Sequence, residues 1–422
     1  MRGCCRADRS FFCVQYLALV VVAGSLTGSF NAAAGSWSSR RRPVKRTAQV
    51  AAPAEPKPSI IREEPAPIDQ HATQLKLSKV AFSGELRIAY VAIQDSSYND
   101  VIGRNDGFIL ENARFEADGE MSPSLTFRVS ADGAKDVRDR EFRTQGQLQF
   151  ELKDAFIRWK WSPLFALRTG QFKAPFNAEE LESTNDLKFI RRDVVTEGVI
   201  FGEGLSSPET ENGLGPSREL GIQLETTEPL GNILDLYGAA TNGNGDNQSL
   251  NDNDSLAVYG MGVLRFGRFS QFPITFDLGI GGFINPRTTG APNDLTDETD
   301  KGLALSARFK TGGLQLDGSY IVTRADVLDL STRTADGWKV AASFLFPGKI
   351  GFEPAVRYAV FDPNHDIETD ALSYQTIGVN LYISQSTKFQ ANYTLTDEQQ
   401  GQERKNNIFE LLMQMQFGNP SD

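Results

Sequence analysis

The chain has 422 residues and a formal net charge of −11, with 43 Lys and Arg against 54 Asp and Glu. That balance argues against a nucleic-acid binder, whose affinity comes from neutralising phosphates, and it speaks against a strong preference for anions. All three cysteines, Cys4, Cys5 and Cys13, lie near the start, which excludes a disulfide-built scaffold, a thiolate metal site and a cysteine nucleophile in the rest of the chain.

The first segment, 1–34, reads as a secretory signal peptide. Basic Arg2, Arg6 and Arg9 precede an apolar stretch from Phe11 to Leu26, and small residues Ala32-Ala33-Ala34 suit a cleavage enzyme. Gln15, Gly24 and Ser25 interrupt the apolar core, which falls short of the roughly 20 residues a membrane helix needs. A lipidated cysteine is disfavoured because bulky Phe12 precedes Cys13.

Residues 35–75 change character: Arg40-Arg41-Arg42, then Pro, Ala, Glu and Lys through Pro58, then Glu63-Glu64-Pro65-Ala66-Pro67. Such a stretch buries too little apolar area to offset chain entropy. It is expected to be a disordered Pro/Arg-rich periplasmic linker, a solvated spacer ahead of a barrel over 76–422.

Beyond Leu75, apolar and polar residues alternate at period two. Val80, Phe82, Leu86, Ile88 and Tyr90 alternate with Ser83, Glu85 and Arg87, and the same pattern recurs around Thr126, Gln223, Asp277, Arg308, Arg357 and Asn392. Charges recur on the polar face, which a dry sandwich core would not tolerate. Sixteen such segments begin near Lys79, Gly107, Ser124, Leu148, Leu164, Ser217, Asn232, Leu256, Pro273, Gly302, Gly313, Trp338, Ile350, Ala371, Thr387 and Asn407. The fold class is therefore all-β, a sixteen-stranded antiparallel transmembrane β-barrel whose polar interior faces water.

Connections supply an independent test, since such barrels alternate short periplasmic turns with long outer loops. Short ones are read at 120–123, 162–163, 228–231, 267–272, 311–312, 347–348 and 384–386; long ones at 133–147, 242–255, 284–301, 324–337 and 397–406. Aromatics near strand ends, among them Tyr90, Trp159, Trp161, Phe266, Phe269, Phe272, Trp338, Phe344, Phe346, Tyr358, Phe361 and Phe417, are expected to form interfacial girdles. The last strand ends on Phe417 as bacterial outer-membrane barrels do, with Gly418 to Asp422 after it.

The run Leu167-Arg168-Thr169-Gly170-Gln171-Phe172-Lys173-Ala174-Pro175-Phe176, followed by Glu180-Leu181-Glu182-Ser183 and Asp186-Leu187-Lys188-Phe189-Ile190-Arg191-Arg192, resembles the phosphate-selective porin O/P family. Further matches are Arg218 to Leu224, Tyr237 to Gly245, Glu353 to Tyr358 and Thr376 to Tyr382. The resemblance implies a sixteen-stranded porin, often a homotrimer, whose third outer loop folds inward as a constriction. Independently, Lys173 to Pro216 is the longest connection, and a long loop inside a compact domain is usually functional.

Pore selectivity depends on width and on charged rings. Parity places Arg87, Arg114, Arg128, Arg158, Arg168, Arg308, Lys310, Lys339, Arg357 and Lys388 inward, with Glu85, Glu116, Asp154, Asp235, Asp277, Asp317 and Glu353. The constriction loop brings Lys173, Lys188, Arg191 and Arg192 against nine acids. The expected function is passive diffusion of small hydrophilic solutes, with anions such as phosphate or polyphosphate as the finer expectation. A structural, envelope-anchoring barrel with little conductance is the alternative. The expected location is the Gram-negative outer membrane, with its lipids and small solutes as partners.

Catalysis would need a base, and the only histidines are His71 and His365. Neither lies in a recognisable triad pattern, so no enzyme is expected. Asp246 to Asp254 is rich in oxygen ligands but lacks the terminal glutamate of a calcium loop; it reads as a solvated outer loop. No metal site and no cofactor are expected.

Overall fold

Period-two alternation gives each strand two faces, and a sheet with one oily face and one wet face is stable in a membrane only when it closes. Closure leaves no unpaired edge in hydrocarbon. The computed structural model describes residues 79–94, 106–138, 146–199, 213–227, 233–267, 274–291, 294–327, 332–398 and 406–418. The expected signal peptide and linker lie outside these residues, as do Phe269, Phe272 and the turn read at 228–231.

Sixteen strands form one closed antiparallel barrel. They are β1 (Lys79–Ile93), β2 (Gly107–Ser122), β3 (Leu125–Arg138), β4 (Gly146–Lys160), β5 (Phe165–Lys173), β6 (Arg218–Thr226), β7 (Leu234–Thr241) and β8 (Ala257–Phe266). The second half is β9 (Ile274–Ala291), β10 (Asp294–Thr311), β11 (Leu314–Val327), β12 (Arg333–Phe344), β13 (Gly351–Asp362), β14 (Leu372–Tyr382), β15 (Thr387–Glu398) and β16 (Ile408–Gly418). Each pairs with its sequence neighbours, and β1 closes on β16 from Ser83 opposite Gly418 to Ile93 opposite Ile408.

The burial pattern is inverted relative to a water-soluble protein. In β1, Phe82 is 71% exposed and Ile88 42%, whereas Glu85 and Arg87 are each 3% exposed. The outward apolar side chains have their favourable solvent in lipid tails. The inward charges pair with one another across strands, as Arg128 does with Asp118 at 2.6 Å.

Aromatics gather at both ends of the wall. At the short-turn end Trp159 meets Trp161 edge-on at 6.2 Å, Phe344 meets Phe346 at 4.6 Å, and Phe266 stacks on Phe276. At the other end Tyr90 packs on Phe108 and Trp338 on Tyr358. Phe361 departs from the expected girdle: it is fully buried on the inner side, because it lies three residues from outward Tyr358 and so on the opposite face.

Turn chemistry is visible at Gly312, whose φ of 54° lets the chain reverse between β10 and β11 in two residues. Two long loops expected from the sequence are largely strand. Residues 284–301 pair from Ile284 opposite Lys301 to Ala291 opposite Asp294, and within 324–337 the pairing reaches Ala325 opposite Arg333. Apolar alternation fades there, but cross-strand charge pairs replace it: Arg287 reaches Glu298 at 3.2 Å and Asp300 at 2.9 Å. A hairpin standing in water needs such polar pairs rather than a lipid-facing side.

Candidate functional site

The connection between β5 and β6 turns into the barrel instead of standing above it. Its route follows from small residues on the wall. A Cβ on Gly281 of β9 would collide with the main-chain carbonyl of Phe176, and one on Gly337 of β12 would meet the Val195 methyls at 2.6 Å. Phe176 packs edge-on against Phe283 at 4.8 Å. Phe176, Val194, Val195 and Leu214 bury themselves among Ala239, Ala257, Ala335 and Ala359, so the loop docks by apolar contact on a strip of small inward residues.

Two short helices stiffen it. The first, α1 (Ala178–Leu181), is capped by Asn177, whose side chain accepts from the Glu179 amide at 3.2 Å. The second, α2 (Val194–Glu197), is capped by Asp193, which accepts from the Val195 and Thr196 amides at 2.8 and 3.0 Å. Between them a 3-10 turn spans Thr184–Asp186.

Polar anchors then tie the loop to the wall on many strands. Arg87 of β1 donates to the Ile190 carbonyl at 2.6 Å and to Asn112 at 2.9 Å. Arg114 of β2 pairs with Glu85 at 3.3 Å and Asp132 at 3.4 Å and reaches the Thr184 hydroxyl. Arg308 of β10 pairs with Asp317 and, at 2.7 Å, with Glu182. Arg357 of β13 donates to the Arg191 carbonyl at 2.9 Å and lies over the Phe189 ring at 4.4 Å. Lys388 of β15 donates to the Asn185 and Leu187 carbonyls.

The four loop cations divide into two jobs. Lys173 binds the Glu180 and Glu182 carbonyls at 2.6 and 3.0 Å, and Arg192 binds the Glu179 and Glu182 carbonyls at 3.1 and 2.8 Å, so both staple the loop to itself. Lys188 pairs with Glu353 at 3.2 Å, and Arg191 bridges Glu111 and Glu410, the latter at 2.9 Å. These two staple it to the wall.

Four candidates stand elsewhere on the wall. Arg128 pairs with Asp118, while Arg158 and Arg168 share Glu225. Lys310, exposed on β10, makes no hydrogen bond or ion pair among the described residues.

The tightest knot was not legible from the sequence. Lys339 of β12 is buried between Glu179 and Asp193, with Nζ 3.1 Å from Asp193. Burial, and then the neighbouring Asp193, push the Glu179 carboxyl up to about 8 against the pull of Lys339 and Arg357. Asp193 moves the other way: burial raises it, but Lys339, Glu179 and Arg357 together hold it below the usual range. One cation and two carboxylates therefore share a proton, carried by Glu179.

A docked loop holds that proton between the ordinary glutamate range and about pH 8, a released loop does not, so docking weakens as pH rises through about 8. Channel recordings across pH 6 to 10 are expected to show more open-level noise at the alkaline end; noise that is flat, or that rises on acidification, contradicts this. Glu179→Gln removes the titration and is expected to flatten the profile.

The loop divides the interior. On the long-connection side lies a cavity of about 1140 Å³, lined by Arg87, Glu111, Arg114, Glu180, Arg191 and Arg192 among others. On the short-turn side lies one of about 960 Å³, lined by Glu179, Glu182, Lys188, Arg308, Lys310 and Lys339 among others. Asn177 at the head of α1 lines both.

A closed sixteen-stranded wall with an inward loop between two large chambers is a channel architecture, and a family model for phosphate-selective porin O and P matches residues 82–261 and 284–417. The chain belongs to that family. Family and fold together make it an outer-membrane β-barrel of the porin kind. An uncharacterized protein of Aquifex aeolicus (strain VF5) is 24% identical over 404 residues, covering 86% of this chain and 93% of that one.

Solved structures with the same fold include the outer membrane channel DcaP of Acinetobacter baumannii, with 12% identity, 80% and 97% coverage and a TM-score of 0.55. The anion-selective porin from Comamonas acidovorans has 14% identity, 81% and 99% coverage and a TM-score of 0.51. OmpT of Vibrio cholerae in its trimer form has 12% identity, 80% and 99% coverage and a TM-score of 0.52. At these identities the likeness concerns the fold.

Asp246 to Asp254 is the exposed outer loop read from the sequence, and it is also tied to the barrel. Asp246 accepts from the Arg218 amide at 2.9 Å, Asp252 from the Thr288 amide at 3.1 Å, and Asn253 donates to the Pro286 carbonyl at 2.7 Å. His365 stands at the barrel rim between β13 and β14, facing Asp336 and Asp362.

Proposed function

We propose that this porin is a passive diffusion channel for small hydrophilic solutes with weak charge preference, its constriction set by the loop that begins at Ala174. The carrying observation is that the loop's cations are already engaged: Arg191 by two glutamates, Lys188 by one, Lys173 and Arg192 by carbonyls. A phosphate competing for them must displace protein ligands, so the arrangement supports filtering by size ahead of specific phosphate capture. The same holds for the wall arginines Arg87, Arg114, Arg128, Arg158, Arg168, Arg308 and Arg357, which we assign to the pore lining as oriented, largely compensated dipoles.

Lys310 is the exception. It faces the short-turn chamber beside Lys188 and Arg308 with no partner of its own among the described residues, so it supplies most of the remaining pull on anions. Homotrimer assembly in the outer membrane, and a spacer on the periplasmic side, complete the proposal.

Reversal potentials under a salt gradient test it. Wild type is expected to sit near zero with a slight anion bias, and Lys310→Glu is expected to shift it to the cation side. A strongly anion-selective wild type, blocked by millimolar phosphate, would instead establish the phosphate-specific reading.

A further inference from the structure

At the long-connection end of the wall, Asp336 of β12 stands directly opposite Asp362 of β13 in the strand register. Like charges placed across a strand pair destabilise it, so this pairing needs a cation. His365 supplies one neighbour: its Nε2 lies 2.8 Å from Asp336 Oδ1 and 3.8 Å from Asp362 Oδ2.

All three donor atoms lie within 4.8 Å of one another. Two ligands on a tetrahedral first-row metal, each bonded at about 2.0–2.2 Å, are separated by about 3.3–3.6 Å, and the 2.8 and 3.8 Å spacings from His365 lie on either side of that range. We propose that Asp336, Asp362 and His365 form a binding site for a divalent transition metal of the zinc class, open to water, at the outer rim of the barrel.

The surroundings are arranged as outer partners of metal ligands are. Tyr320 donates its hydroxyl to Asp336 Oδ2 at 2.8 Å, leaving Oδ1 to face the histidine. The Asn364 amide donates to Asp362 Oδ1 at 3.1 Å, leaving Oδ2 to do the same. The His365 amide donates to the Thr334 carbonyl at 3.0 Å, which fixes the loop against β12. Each carboxylate thus has one oxygen satisfied and one aimed at a common point.

A lone imidazolium is the simpler cation, but it offers Nε2–H to one acid at a time. Here acceptors exceed donors, and Asp370 nearby keeps an Oδ1 shielded from solvent with no hydrogen-bond partner. One imidazole nitrogen with two carboxylates suits borderline metals such as Zn²⁺ over Mg²⁺ or Ca²⁺. With only three protein ligands and a histidine side chain 42% exposed, the remaining positions fall to water and binding is reversible. The bound ion would clamp the β13–β14 connection onto β12.

The test is calorimetric titration of Zn²⁺ into full-length, tag-free protein carrying Cys4→Ser, Cys5→Ser and Cys13→Ser, which removes every thiol, refolded in detergent free of lipopolysaccharide phosphates. One saturable site is expected in wild type and in His71→Ala, which removes the only other histidine. His365→Ala is expected to weaken binding at least tenfold, and Tyr320→Phe severalfold, because Asp336 loses its orienting donor. Heat-modifiable gel mobility checks that each variant is folded, and Asp362→Asn replaces His365→Ala if that variant is not. Absence of a saturable site, or His365→Ala binding as tightly as wild type, overturns the proposal.

Discussion

Lys339→Met is expected to free the constriction loop and enlarge the channel. The substitution keeps the stem that packs beneath the loop but strands Glu179 and Asp193 as two buried carboxylates with no cation between them. Breaking a buried pair by removing one partner costs about 3–5 kcal/mol, because the remaining charge is left unpaired. The barrel wall does not bear that cost, since the β12 ladder uses backbone groups alone. The loop can relieve it by undocking, as α1 and α2 both hang on this knot. Single-channel recordings should therefore show a larger and noisier open level from a protein that still runs as a heat-resistant folded barrel. Conductance equal to wild type would mean that the apolar contacts and the other polar anchors hold the loop without this knot.

The second large effect is expected from Arg191→Ala. Arg191 is the tie between the loop and the seam of the barrel, joining Glu111 of β2 to Glu410 of β16, while Arg357 holds its carbonyl. Removing the guanidinium leaves Glu111, which lines the long-connection-side chamber, and the buried Glu410 without their shared cation. In an aqueous lumen one unit charge about 7 Å from a passing ion is worth about 0.6 kcal/mol, or about threefold in local ion concentration. Cations rise and anions fall by that factor together, so the cation-to-anion permeability ratio is expected to rise about sevenfold. Arg191→Lys restores the charge without the fork that reaches two carboxylates, so it should recover selectivity while leaving the loop looser. An unchanged reversal potential in Arg191→Ala would show that permeating ions do not sense this site.

The wall was readable because lipid and water impose opposite demands on alternate residues. Fifteen of the sixteen strand starts fall within five residues of those read from alternation. The miss is β10, which begins at Asp294 rather than near Gly302, where the hairpin has left the membrane and neither face needs to be apolar. There the pattern that signals a strand has no physical reason to exist.

The site was legible in outline and not in detail. Loop length marked the segment, and parity placed Arg87, Arg114, Arg308, Arg357, Lys339 and Lys388 on the side that meets it. Partners were hidden because register and docking decide them. Glu111 shows why: a bulge sets Arg87 opposite Asn112 and Ile88 opposite Leu110, leaving Glu111 unpaired in the ladder, so counting by twos misplaces it. The docking strip of Ala239, Ala257, Ala335 and Ala359 was equally silent, since small residues on an inner face carry no signal until something is seen packed on them. The aspartates opposite each other at 336 and 362 lie 26 positions apart in sequence, with only register to bring them together.

Passage of water and small solutes through this barrel past the docked loop is the expected behaviour. Its most direct test is reconstitution of the refolded full-length protein in a planar bilayer at symmetric salt. Stepwise, ohmic conductance increments are predicted for wild type, with a larger increment for Lys339→Met. A folded, inserted barrel that gives no steps in either form would contradict the channel and leave the envelope-anchoring role in its place.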